Sequence, residues 1–380
     1  MSAEPPRRSA QTGQDRSFVF ARVAGVPVAV SPSWLLAGVL LCAVYGPILR
    51  DAVDGLGTGA AYGAALGFAV LFGLCVLAHE AGHTLVSIRL GHPVRRIVLF
   101  ALGGVSEMEH EPSRARDELL IAASGPLVSA LLATGAGFAY DAAPAGQLLT
   151  ALLGLLFWSN AGLAAFNLLP GLPLDGGRLV RAAVTGLGAR PFTATRVAAA
   201  SGRLIAVALL VFGFVADRSA AGLAGGLFTA LVAGYLWFAA GQSVAEARIA
   251  DRLPAISVPA LLRPGLLVPG DLSVAAALER VWQAGVRGLV VVDGADRPVA
   301  IVDEARISAV PPEQRPWTPV FAVARPLAAG LTVPADLSAE DLLDRIRAAP
   351  ASEYLAVHGD GRPAGIISTR DLVDRLRGQQ

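Results

Sequence analysis

The sequence predicts a polytopic α-helical membrane protein of about six spans, with a membrane-associated β-hairpin or re-entrant loop, followed by a soluble α+β tail. Three observations predict it. Hydrophobic residues make up 54% of the 380 and charged residues 16%, with a mean hydropathy of +0.57. That is a membrane composition diluted by a water-soluble part. Several apolar runs reach or approach the roughly 20 residues a helix needs to cross a bilayer. From about Arg252 onward charge returns, and two similar strand–helix blocks follow one another.

The formal net charge is +1, and every basic side chain is arginine, because the chain has no lysine. No basic tract forms a nucleic-acid surface, and the apolar runs make the lipid bilayer the expected surroundings. Cys42 and Cys75 both sit in apolar runs and read as small core hydrophobes rather than a disulfide or metal pair.

Residues 1–17 are polar, lack the apolar core of a signal peptide, and are expected to be disordered. Phe18 to Val30 alternates and turns near Gly25, which suits a short surface hairpin. Ser31-Pro32-Ser33 can start a helix, and Trp34 suits the interfacial belt, giving a first span over Trp34–Leu49. The second span covers Ala60–Ile88. Gly91 to Glu111 carries two arginines and a glycine pair and is not a span; it reads as a hairpin or re-entrant loop beside the second span, and equally as a simple amphipathic surface hairpin. The third span covers Leu119–Ala139, with Ser124-Gly125-Pro126 near its start, and the fourth covers Leu148–Leu169. Pro170 and Pro173 break that helix, and a short one starts near Asp175. Val197–Val215 and Ala221–Ala240 complete the set.

Arginines cluster before the first span, between the second and third, and between the fourth and fifth; the opposite loops hold only Arg50 and Arg218. By the positive-inside rule the N-terminus and the C-terminal part are cytoplasmic. The tail then gives two copies of strand–helix–strand–strand–helix, over about 253–310 and 317–380, which reads as an internal duplication.

The chemistry concentrates in the second span, at His79-Glu80-Ala81-Gly82-His83. Residues four apart share a helix face, so two neutral imidazoles can hold one zinc ion and Glu80 can act as a base on water there. His79 lies ten residues before Arg89, about 15 Å inside the membrane at 1.5 Å per residue. Three ionisable groups at that depth are costly and point to function. A catalytic zinc needs a third protein ligand. Asp175 is the candidate, in Asn167-Leu-Leu-Pro-Gly-Leu-Pro-Leu-Asp175-Gly-Gly177; on its neighbourhood alone it reads more often as a helix N-cap, and the intramembrane H-E-x-x-H favours the ligand reading. His92, His110 and His358 read as surface residues.

H-E-A-G-H on the second span, S-G-P on a later helix and N-L-L-P-G-L-P-L-D-G-G resemble the site-2 protease family of intramembrane zinc metalloproteases, over about Phe18 to Gly241. The resemblance implies one zinc per chain on His79, His83 and Asp175, with Glu80 as catalytic base. It implies cleavage of peptide bonds in or near transmembrane segments of membrane proteins, as in regulated intramembrane proteolysis. It also implies a substrate-binding or oxyanion role for Asn167, which by its position reads equally as a helix-terminal hydrogen-bonding residue. An unwound substrate could pair with an exposed strand edge in Val94–Met108.

The tail resembles a pair of cystathionine-β-synthase (CBS) domains, which implies a regulatory role and a face-to-face homodimer. Its second repeat ends G-I-I-S-T-R-D, where Ser368, Thr369 and Asp371 would hold the ribose and phosphate of an adenine nucleotide. The first repeat has Asp303 and Arg306 in place of the hydroxyl and the carboxylate, so at most one site carries the pattern. Two other readings stay open on the residues alone. One is a membrane zincin whose third ligand is a later glutamate; the other is a non-proteolytic metal-binding transporter or receptor with CBS regulation.

Overall fold

The computed structural model describes residues 18–101, 103–109, 111–112, 114–215, 220–253, 256–286, 288–302, 304–328 and 330–377. The expected disorder of 1–17 lies outside these residues, as do His110 and Asp303. The chain divides into two compact units, one ending at Ala247 and the other running from Arg248.

In the first unit the two hairpins form, and they join. β1 (Phe18–Val23) and β2 (Val26–Val30) turn through Ala24 and Gly25, both at positive φ. β3 (Val94–Phe100) and β4 (Gly103–Met108) form the second hairpin, which lies against the second helix. β2 pairs with β3 in parallel, giving one sheet in the order β1-β2-β3-β4. The sequence did not announce that pairing, because the partners lie on either side of two helices. Its buried face, with Val28, Ile97 and Leu99, packs on Val76 of the second helix. β4 is therefore an edge strand.

Six helices among the described residues are long and apolar enough to cross a membrane. They begin with α1 (Ser33–Ala52), α2 (Thr58–Arg89), α3 (Ala115–Ala142) and α4 (Leu148–Asn167). After α5 (Asp175–Gly186), which is short and amphipathic, come α6 (Pro191–Val215) and α7 (Ala220–Arg252). α1, α3, α6 and α7 run several residues beyond the expected spans. Ser124-Gly125-Pro126 thus lies in the interior of α3, not near its start. Polar first turns such as Asp117 and Glu118 belong to the helix but carry no hydropathy signal. Large apolar side chains such as Leu35, Leu36, Leu131 and Phe214 are exposed, as lipid-facing groups are. Small ones, including Ala61, Ala65 and Ala69 on α2 and Ala194, Ala198 and Ala206 on α6, are buried. This is the membrane packing rule, in which small residues let helices approach.

α5 is held against α3 by charge. Arg181 on α5 donates to Glu118 at the start of α3 and to Glu111 just before it. Both Arg181 and Glu118 are largely buried, so each needs the other.

The second unit contains β6 (Gly265–Pro269), α8 (Val274–Ala284), β7 (Gly288–Val292), β8 (Pro298–Val302) and α9 (Glu304–Ser308). The order then repeats as β10 (Thr332–Pro334), α11 (Ala339–Ala348), β11 (Glu353–Val357), β12 (Pro363–Ser368) and α12 (Thr369–Arg377). Ser273 and Ser338 cap α8 and α11, each accepting from a backbone N–H three residues on. The sheets exchange strands. β5 (Leu262–Arg263) pairs with β12, while β9 (Ala324–Pro326), which follows the one-turn helix α10 (Val320–Val323), pairs with β8.

Candidate metal centre

α2 presents His79, Glu80 and His83 to α3 and β4, all three nearly buried. Asp175 arrives from the first residue of α5. It does not cap its helix; its carboxylate turns to the imidazoles instead. Asp175 Oδ2 lies 3.2 Å from His79 Nε2 and 3.1 Å from His83 Nε2, and the two Nε2 atoms are 3.3 Å apart. A tetrahedral zinc with bonds of 2.0–2.1 Å has ligand atoms about 3.3 Å from one another. The triangle therefore matches one face of that coordination sphere.

The ring orientations fit the same purpose. His83 Nδ1 is 2.7 Å from the carbonyl of Ile121, which can only accept, so Nδ1 carries the proton and a neutral ring turns a lone pair inward from Nε2. His79 Nδ1 lies 2.9 Å from Ser129 Oγ, so its Nε2 is likewise directed at the triangle. Two such lone pairs facing one carboxylate oxygen repel unless a cation lies among them.

Glu80 has a partner of its own. Ser106 on β4 donates to Glu80 Oε2 at 2.8 Å and accepts from Thr84 at 3.2 Å. A carboxylate oxygen of Glu80 lies within 4.8 Å of both imidazoles, near the triangle rather than within it. Two glycines make room. A Cβ on Gly125 of α3 would lie 2.2 Å from His83 Nε2, and one on Gly104 of β4 would lie 2.5 Å from Glu80 Cγ. The α3 and β4 backbones thus form two walls of the site.

Residues 67–144 and 137–212 match the model of Peptidase family M50, and residues 322–378 match that of the CBS domain. The membrane part of the chain is thus similar to Peptidase family M50 over residues 67–212. Over 187 residues it is 32% identical to a zinc metalloprotease of Methanocaldococcus jannaschii, covering 48% of this chain and 50% of the relative. It is 31% identical over 233 residues to a candidate zinc metalloprotease of Synechocystis sp., 61% of each chain. The chain spans from half to 61% of the length of these curated relatives. The solved site-2 protease from Methanocaldococcus jannaschii aligns with a TM-score of 0.43 at 27% identity, over 60% of this chain and 95% of that one.

The M50 motifs led to His79, Glu80, His83 and Asp175. They did not lead to Ser106, Ser129 or Gly104, which no spacing links to the histidines. Gly125 was noted, but not its place against the rings. Asn167, at the end of α4, donates to the Leu163 carbonyl at 3.1 Å, the helix-terminal role its position also suggested. His92 is partly buried against Asp117, at 3.1 Å, rather than lying free on the surface. His358 is exposed. Cys42 and Cys75 are free thiols.

In the tail, Asp371 accepts a two-pronged contact from Arg263 on β5, at 2.6 and 2.5 Å. Thr369 donates its hydroxyl to the Ala351 carbonyl, and Ser368 is buried at the end of β12. Two of the three groups expected to hold a nucleotide are thus engaged by the chain itself.

One test isolates the ring orientation. Ser129→Ala removes the hydrogen bond to His79 Nδ1 and should weaken zinc binding about 10- to 100-fold. Competition with a graded series of chelators measures this, and unchanged retention of zinc would show that Ser129 does not hold the ring.

Proposed function

We propose that the chain is an intramembrane zinc metalloprotease that hydrolyses peptide bonds in or near transmembrane segments of membrane proteins. The observation that carries this reading is the triangle of two imidazole nitrogens and one carboxylate oxygen at 3.1–3.3 Å, beside a buried glutamate. His79, His83 and Asp175 would hold zinc. When bound, the metal supplies Lewis acidity toward water and the scissile carbonyl.

The protein residues do the rest. Glu80 takes a proton from the attacking water and hands it to the leaving amine. Ser106 fixes which carboxylate oxygen is free to do so. A helical substrate hides its carbonyls in hydrogen bonds, so the segment must unwind. The edge of β4, whose Gly104 and Ser106 meet Glu80, can then hold it as an added strand. Asn167 serves as a further contact to that strand. Substrate and water enter from the cytoplasmic side, where the arginine-rich loops lie.

The tail, from about 253 to 380, acts as a cytoplasmic regulatory module that pairs with a second copy. The Arg263–Asp371 contact occupies the carboxylate a ribose would need, so the residues do not fit an adenine nucleotide, and no step is assigned to one.

Two measurements test the reading. Asp175→Ala should lose most of its zinc, because two imidazoles alone leave the sphere half-filled; full zinc in that variant places the third ligand elsewhere. The purified chain should cleave a transmembrane substrate only when zinc is present. Zinc-independent ion flux in liposomes without cleavage would favour a transporter.

A further inference from the structure

α5 carries two arginines near the site, and they are treated differently. Arg181 is fully answered, by Glu118 and Glu111. Arg178, one turn earlier, is half-buried, and its Nη2 is covered and has no hydrogen-bond partner among the described residues. It follows Asp175 by three residues, so both lie on one side of the helix. Asp175, in the same first turn of α5, meets both imidazoles, so Arg178 lies on the element that closes the metal centre. The position is costly twice over. A covered guanidinium donor without an acceptor loses its hydration, and a cation in the first turn opposes the helix dipole. Structural need does not explain this, because Arg181 already ties α5 to α3.

We infer that Arg178 is a substrate-binding residue, whose guanidinium donates to a backbone carbonyl oxygen of the unwound peptide beside the scissile bond. The inference rests on the proteolytic reading above and names a contact within it. The chemistry of the occupant follows from the donor. Nη2 can only donate, so it requires an acceptor. A transmembrane segment offers few side-chain acceptors, but unwinding it frees carbonyl oxygens that hydrocarbon leaves without a partner. A cation beside the metal centre also suits the carboxylate that cleavage produces.

The test uses the full chain in detergent and a fluorescent synthetic transmembrane peptide with a central Asn-Gly helix break. In the Glu80→Gln background, binding can be read without turnover. Adding Arg178→Ala should weaken binding of this peptide about tenfold to a hundredfold, and Arg178→Lys should recover part of it. In the active enzyme the same change should raise KM more than it lowers kcat. Zinc content and melting temperature should stay near wild type, whereas Arg181→Ala should lower the melting temperature. Unchanged peptide affinity in Arg178→Ala, or a fall in zinc content or melting temperature matching Arg181→Ala, overturns the assignment. The two readings fail separately. Cleavage by the wild type with Arg178-independent binding removes only Arg178. Arg178-dependent binding without any wild-type cleavage removes only proteolysis, and a peptide that does not bind at all overturns both.

Discussion

Glu80→Gln is expected to lower peptide cleavage by roughly three orders of magnitude while the chain keeps one zinc. The substitution exchanges one carboxylate oxygen for an amide of nearly the same shape. The remaining oxygen can still accept from Ser106, which donates to Glu80 Oε2 at 2.8 Å in the wild type. Gly104 leaves the space that the side chain fills. Packing and metal ligands therefore stay as they are, and only the ability to take up a proton is lost. Zinc content by mass spectrometry and cleavage on gels make the comparison. A Glu80→Gln chain that still cleaves would remove the base assignment, whatever its metal content. One that has lost its zinc would instead place Glu80 among the ligands, as its distance of under 4.8 Å from both imidazoles permits.

Gly125→Ala should abolish zinc binding and activity together while leaving the helices folded. Two effects compete at this position. Alanine is better than glycine inside a helix by about 1 kcal/mol. Its methyl, however, would lie 2.2 Å from His83 Nε2 and 2.7 Å from His79 Nε2, inside the space the ligand atoms converge on. Overpacking of this kind costs about 1–3 kcal/mol when side chains can move aside. The imidazoles can turn away only by giving up Ile121 and Ser129, and with them the triangle. The damage is thus local. The melting temperature of the zinc-free chain should change little, and zinc retention should fall to background. A Gly125→Ala chain with full zinc would mean that α3 does not approach the rings as closely as the structure has it.

Much of this architecture is legible in order along the chain because its signals are local. Apolar runs of span length, bounded by arginines and prolines, mark the six long helices, although α6 starts before its apolar run and α7 continues well past it to Arg252. The errors fall where α1, α3, α6 and α7 continue past the apolar stretch, as with Asp117 and Glu118, which are helical but paired or buried through other elements. The two hairpins follow from alternation and glycine turns, yet their union through β2 and β3 does not, because α1 and α2 intervene. The same holds in the tail. The repeat is visible as a repeat, but the passing of β5 and β9 between sheets is a matter of which edge lies open.

The sequence by itself determined the helix spans, the imidazole pair with its adjacent carboxylate, and the aspartate after the proline break. Helical periodicity fixes which residues share a face, and proline and glycine fix where a helix ends. Only the tertiary structure decided that Asp175 crosses 96 residues to meet His79, that Ser106 and Ser129 orient the base and a ring, and that Arg263 holds Asp371. The reason is physical. Hydrogen bonds between distant segments depend on how whole helices and strands pack, and a single serine or arginine carries no mark of the partner that packing will bring to it.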